Sequence, residues 1–472
     1  NKLLNEDNSD RLILKEDSIY LLLHNLEEQD ELQSLIKARR PAFALGHVVF
    51  PTNSLIYEDY IDFNYLQYFR NLTVTFIECV FNSAQKLFIT YSHQHYYRCN
   101  FTSEIYLNDE KPDFLKFNKK FMACTFHQRV EIEGVNENKK ANYSIEKSTL
   151  FFCCNFKTTL NIRNLTADFI ILANTYEFGS INELNIENSS LYGYLSLEYS
   201  GCTNLTIKDS TLYKKINLKD TTLETLSIIN SSFKDSVYFN HATINKIEIQ
   251  EICFEKIFLF DECVTKSFAN FYNVLFQGTA NFKGSNFQGG LSLASSTFET
   301  APNFFNTKII RKNTELTDRE TYRIIKHALD SVGNKIDANR FYAEEMSVYH
   351  NELHNEQNAK AQLWLMNINK WTSNYGQSYV RPSILLLVAM FIHNLIIKFY
   401  LPSLDSLKTI NLPAIWKDFL NPNQIISQTI NIVLHKDTSG IEGFEFISFI
   451  FYVIYAILIY QLIVALKRHT KR

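Results

Sequence analysis

The residues best suited to chemistry are few, and their spacing steers them away from catalysis. His350-Asn351-Glu352-Leu353-His354 sets two histidines four apart, which puts both on one face of a helix. With a third ligand such a pair holds a metal; alone on a polar helix it reads as solvated, and His93-Gln94-His95 reads the same way. The eight cysteines are Cys79, Cys99, Cys124, Cys153, Cys154, Cys202, Cys253 and Cys263. None forms a Cys-x-x-Cys pair, so they read as small, reduced, buried side chains. The sequence carries no phosphate-binding Gly-rich loop, metalloprotease motif, local nucleophile–base signature or Thr-Val-Gly-Tyr-Gly filter. The expectation is a protein that is not an enzyme and uses no cofactor or metal.

The other suggestive residues lie in or beside apolar runs. Phe446 to Leu466 is 21 residues without a charge, long enough to span a hydrocarbon core of ~30 Å. Ser383 to Leu401 is a second run, interrupted by His393-Asn394. Polar groups in hydrocarbon are costly and mark a pore or a partner helix, so His393, Asn394 and Gln461 are the candidates for either role. Trp364, Trp371 and Arg381 sit just before Ser383–Leu401 and read as interfacial anchors.

The element that must present these helices is a repeat. Ile186, Ile207, Ile228 and Ile249 step by 21 residues. Leu191, Leu212, Phe233 and Phe254 keep the same step, as do Leu197, Leu218, Phe239 and Phe260, and Cys202, Leu223, Ile244 and Thr265. Within a unit the anchors are five, six, five and five apart, which fits neither a helix stripe nor an alternating strand. It fits a coil with four short sides and one inward anchor per side. The residue two before the anchor is mostly small on two sides: Ser189, Ser210, Ser231 and Ile252 in one series, and Ser200, Thr221, Ala242 and Cys263 in the other. Weaker units lie upstream at Phe76/Phe81/Leu87, Tyr96/Phe101/Leu107, Phe121/Phe126/Ile132 and Ile145/Leu150/Phe156. Polar insertions at Asn108–Asn118 and Gly134–Ala141 interrupt them and read as surface loops that set specificity. About eleven coils at roughly 4.8 Å each predict a rod on the order of 50 Å long.

Ala269-Asn270-Phe271, Ala280-Asn281-Phe282, Ser285-Asn286-Phe287, Cys99-Asn100-Phe101 and Ala167-Asp168-Phe169 resemble the Ala-Asp/Asn-Leu-x-x consensus of the pentapeptide-repeat family. The last is one residue out of register with Ile170, which predicts a bulge nearby. The helix motif Phe341, Tyr342, Glu345, then Tyr375-Gly376, Arg381-Pro382, apolar runs and a basic tail (Lys467, Arg468, Lys471, Arg472) are similar to bacterial membrane-associated members. The resemblance implies a mainly β chain: a right-handed parallel four-sided β-helix, then helices, then a transmembrane helical hairpin.

The expected domains are an N-terminal cap region over 1–70, with an apolar helical segment around Ile19 to Ile36, and the β-helix over 71–310. A helical interfacial region over 311–380 and the membrane hairpin with its tail over 381–472 follow. Thr317-Asp318-Arg319-Glu320 reads as a capping box, and one long helix is expected from about Asp337 to Trp371. The opening residues carry no signal-peptide pattern. Segment 402–445 has only Lys408, Lys417 and Lys436 as basic residues. Together with Arg381 and the tail, that asymmetry places the β-helix and C-terminus in the cytoplasm, on an inner membrane.

The balance of 47 basic and 50 acidic residues argues against nucleic acid as a partner. The expected partners are the lipid bilayer, further copies of the chain through the membrane segments, and a cytoplasmic protein. The expected function is a membrane effector, channel-like, that senses a partner and alters permeability in a stress or phage-defence response. A passive membrane-tethered scaffold is the alternative, and a DNA mimic that protects topoisomerases is a weaker one.

Overall fold

The computed structural model describes residues 4–6, 12–14, 42–46, 48–50, 73–81, 87–88, 94–108, 121–133, 148–167, 169–172, 180–310, 317–356, 359–400 and 444–470. They fall into two compact units, Asn1–Thr321 and Tyr322–Arg472. The expected cap helix at Ile19 to Ile36 and both insertions, apart from Asn108, lie outside the described residues.

The first unit is mainly β, a parallel solenoid of about eight turns with coils of about 22 residues. The register is the one the anchors imply. Ile186 pairs with Ile207, Ile207 with Ile228, Ile228 with Ile249, and Ile249 with Phe271. Leu212 pairs with Phe233, and Phe233 with Phe254. All of these anchors are buried. The step of 21 becomes 22 after Thr265, where one residue enters the corner before Ala269: Ile244 pairs with Thr265, but Ile247 pairs with Ala269.

The turns number about eight, where about eleven coils were expected. The 11-stranded sheet does begin early, because Ala42–Gly46 pairs with Thr73–Ile77. Strands thus extend into the segment expected to be only a cap. In the upstream units Leu87 pairs with Ile105 rather than Leu107, and Phe151 rather than Ile145 continues the ladder of Phe121. The bulge expected near Ala167 lies on the facing strand, between Thr149 and Phe151.

Two aromatic ladders fill the upstream core. Phe81, Phe101, Phe126 and Phe156 stack at 4.8, 5.1 and 4.7 Å between ring centroids. Phe76, Tyr96, Phe121 and Phe151 stack at 5.1, 4.8 and 5.3 Å. These spacings are close to the distance between neighbouring strands, so the backbone imposes the stack. Rings of the two ladders meet edge to face, as Phe76 and Phe81 do at 82°, the arrangement that the ring quadrupole favours.

From Asn188 onward the coils turn two corners on a left-handed residue. One series is Asn188, Asp209, Asn230, Glu251 and Asn273, and the other is Tyr199, Asp220, His241 and Glu262. Asn and Asp tolerate that conformation best, which explains their frequency in the first series. The small inward residue follows the corner. The Ser210 hydroxyl donates to the Lys208 carbonyl at 2.7 Å and accepts the Ser189 N–H at 3.1 Å, and Ser231 serves Ser210 in the same way. At the other corner Cys79, Cys99, Cys124 and Cys154 occupy the column that continues as Ser200, Thr221, Ala242 and Cys263. The thiols of Cys99, Cys124 and Cys154 donate to the carbonyls of Phe76, Tyr96 and Phe121. All eight cysteines are free; Cys253 is half-buried, because it faces outward beside its paired Ser232.

The last coil is closed by the first turn of helix α1 (Arg319–Ser331). Thr317 Oγ1 accepts the Leu291 N–H, Thr321 Oγ1 accepts the Leu293 N–H, and Glu320 accepts the Ser295 N–H. The helix N-cap is Asp318, whose carboxylate accepts the Thr321 N–H at 2.7 Å, and not Thr317 as the capping-box reading held. Thr317 is taken up by the solenoid edge instead.

The second unit continues with α2 (Lys335–His354), α3 (Lys360–Ser373), α4 (Val380–Tyr400) and α5 (Phe444–Thr470). The single long helix expected to Trp371 is therefore two. Asn355 ends the first by donating its N–H to the Glu352 and Leu353 carbonyls.

Candidate functional site

On the solenoid the described residues form an open groove of about 480 Å³ along the Asx corner, lined by Asp209, Thr211, Asn230, Ser232, Glu251 and Cys253 among others. No group of three or more metal-ligating side chains occurs among the described residues. The more structured candidate is in the second unit, where the polar residues of the apolar helices find their partners.

Among the described residues one helix, Phe449–Arg468 within α5, is long and apolar enough to cross a membrane, and Val380–His393 is a shorter apolar stretch. Phe449, Ile450, Val453, Ile463 and Leu466 on α5 are exposed, as are Ile384, Leu387 and Val388 on α4. Helices α4 and α5 pack together through the opposite face of α5, where Tyr455, Leu458 and Ala465 are buried. Their exposed faces are what an apolar solvent would cover.

The candidate polar residues bond to different elements. His393 is buried between α4 and α5. Its Nδ1 lies 3.0 Å from the Tyr455 hydroxyl, and its ring stacks on Phe451 at 4.4 Å. Gln461 Oε1 accepts the Ser373 hydroxyl at 2.7 Å, so it joins α5 to the end of α3. Asn394 lies on α4, with its side chain outside the described residues. Trp364, Trp371 and Arg381 are exposed, the two tryptophans at 62 % and 70 %.

After α3 the backbone enters a left-handed turn. Asn374, Tyr375 and Gly376 have φ of 50°, 58° and 80°. The turn stops the helix: Asn374 N–H donates to the Lys370 carbonyl and Tyr375 N–H to that of Asn369. Glycine suits this place because φ of 80° is rarely adopted by side chains; a Cβ there would also lie 2.6 Å from Arg468 Nη1, which would have to shift. Arg468 donates to the Tyr375 carbonyl, and its guanidinium lies 4.2 Å from the centroid of the Tyr342 ring. Asn339 Nδ2 donates to the Arg468 carbonyl at 3.0 Å, and Gln377 donates to that of Asn339. The turn thus clasps α2 to the end of α5, and Arg468 belongs to that clasp rather than to a free basic tail.

The Phe341, Tyr342, Glu345 motif has a local reason. Phe341 is buried and Tyr342 carries Arg468. The Glu345 carboxylate, nearly fully buried, takes Arg323 at 3.1 Å and Lys326 at 2.9 Å from α1. Two cations and good geometry are what keep a buried charge tolerable. His350 corrects the solvated reading of its pair: it is 3 % exposed, with Nδ1 3.1 Å from the Tyr375 hydroxyl. Burial lowers its pKa below the ordinary imidazole value, with Lys370 and His354 adding to the effect.

Ser373 and Tyr455 did not stand out in the sequence, and Tyr375 and Arg468 entered only through the Tyr-Gly motif and the basic tail, not as partners of one another. Only Asn374 and Gly376, the residue types that accept positive φ, signalled that the chain turns sharply there. Compared with known proteins, the chain matches no family model, no curated protein and no solved structure.

Proposed function

We propose that this chain is a non-enzymatic, membrane-anchored solenoid protein that offers its coils to a protein partner at the cytoplasmic face of an inner membrane. The observation that carries the reading is α5, whose uncharged residues Phe446–Leu466 turn large apolar side chains outward along most of the helix. In water such a surface would be covered by aggregation; in a bilayer it is satisfied. Helix α4 would return the chain as the second arm of a hairpin, with Trp364, Trp371 and Arg381 at the headgroups. The basic tail and Arg381 favour cytoplasmic ends. The solenoid supplies long polar faces, which supports partner binding. His393 and Gln461 have partners within the chain, which supports a tether over a conduit.

A second reading, in which copies assemble and alter permeability, draws on Tyr460. It is 64 % exposed within the apolar run, and its hydroxyl would need a partner in hydrocarbon.

Alkaline carbonate extraction of membranes from cells expressing the full chain tests the anchor. The protein stays in the pellet, and Ile450→Lys with Ile457→Lys releases it; wild type in the soluble fraction overturns the reading. Ion flux in liposomes separates the two readings. A tether gives none, whereas flux that disappears in Tyr460→Phe supports the assembly.

A further inference from the structure

His350 and Tyr375 are 25 residues apart in sequence and meet in a buried contact beside the clasp. The imidazole has one partner in good geometry, the Tyr375 hydroxyl on Nδ1. Nε2 is buried without a hydrogen bond among the described residues. The neutral tautomer that suits this site carries its proton on Nδ1 and donates it to Tyr375, leaving only a lone pair at Nε2. A second proton would put a buried N–H and a positive charge at a site where desolvation outweighs the one favourable neighbour, the Asn367 side chain. The same tyrosine receives Arg468 on its carbonyl, so the state of His350 bears on the residue that holds the end of α5.

We propose that the His350–Tyr375 contact is a proton-operated latch: the neutral ring keeps the 374–376 turn closed on Arg468, and protonation of the ring releases it. The groups that face the ring oppose its charge. On α2 the His354 ring is 5.1 Å away, and on α3 Lys370 acts in the same direction. Asn367 of α3 is the one neighbour that favours the charged ring. From α5, Arg468 reaches the Tyr375 carbonyl and brings a further positive charge to the turn. The nearest carboxylate on α2 toward its N-terminus, Glu345, is taken by Arg323 and Lys326. The lowered pKa gives the sign. The unfolded ring takes its proton at about 6.5, the folded one at lower pH. Latch stability is complete above that value and is lost as pH falls below it. The proposal rests on the membrane reading only for what the release of α5 accomplishes; the latch itself is a property of the second unit.

The test uses the full chain in detergent micelles, with ¹³C-labelled histidine and hydrogen exchange of the 369–379 peptide, corrected for the intrinsic pH effect. The expected result is that His350 titrates below the ordinary imidazole range and that protection of the peptide drops at least tenfold at that same pH. His350→Gln, which can bond Tyr375 but takes no proton, keeps its protection at pH 5.5; His354→Gln retains the transition. If His350→Gln is already open at pH 7.5, the coincidence of titration and opening in the wild type decides. Titration of His350 with no loss of protection, or the same loss in a closed His350→Gln, overturns the latch. Failure of the membrane reading would appear in carbonate extraction and not in these measurements.

Discussion

Gly376 and Arg468 compete for one volume: a Cβ on the glycine would lie 2.6 Å from Nη1 of the arginine, at a backbone φ of 80° that side chains seldom adopt. The contact ties the turn after α3 to the last turns of α5. Gly376→Ala should lower stability by about 1–2 kcal/mol from the backbone alone, and more where Arg468 cannot shift. Thermal unfolding of the full chain in detergent measures this. Adding Arg468→Met should restore the steric part of the loss and leave the backbone part.

Phe233 sits in the solenoid ladder between Leu212 and Phe254, 1 % exposed and 5.0 Å from the Phe254 ring. Phe233→Asp should cost roughly 3–5 kcal/mol, because the carboxylate meets only apolar neighbours. Phe233→Leu should cost about 1–2 kcal/mol. Loss of near-ultraviolet circular dichroism at lower denaturant reads the difference; equal midpoints for the two variants would contradict the ladder.

Thr265 is fully buried in the fourth ladder, between Ile244 and Phe287, and its hydroxyl has no partner among the described residues. Thr265→Val keeps the shape and removes the unpaired group. It should raise stability by about 1 kcal/mol, seen as a higher melting temperature.

The thiols should separate by exposure. Cys253 is half-buried, whereas Cys202 and Cys263 are buried in the core. Burial pushes Cys202 up to about 12 and Cys263 higher still, so both stay protonated at neutral pH. Alkylation of the native protein at pH 8 should therefore mark Cys253 first. Raising the pH to 9 should speed that reaction, since the thiolate fraction grows with pH below the pKa. Mass spectrometry without reduction should find no disulfide.

The ladders were legible because a solenoid stacks like on like: any side chain one coil away is also its spatial neighbour, so a linear period is a contact map. The upstream thiols Cys79, Cys99, Cys124 and Cys154 belonged to the small-residue column of Ser200 and Thr221, but insertions of unequal length hid that alignment. The break between α2 and α3 was hard to read because no Gly or Pro marks it; the only signal is the all-polar run His354-Asn355-Glu356-Gln357-Asn358 between apolar stretches. The partners His350–Tyr375, His393–Tyr455 and Ser373–Gln461 are 25, 62 and 88 residues apart. Local periodicity carries no information at such separations. Sequence could say that His393 and Gln461 needed partners, and tertiary packing chose them.

The way α1 closes the last coil constrains how such a protein can change in length. Thr317, Glu320 and Thr321 take up the main-chain donors of Leu291, Ser295 and Leu293, which a following coil would otherwise need. A coil duplicated after residue 310 would find its docking edge occupied and would displace the helix. A duplication of 21 residues in the interior, for instance of 222–242, would meet matching neighbours above and below. Lineages of this chain should therefore grow and shrink from the middle, in whole coils, while the junction around Thr317 stays as it is.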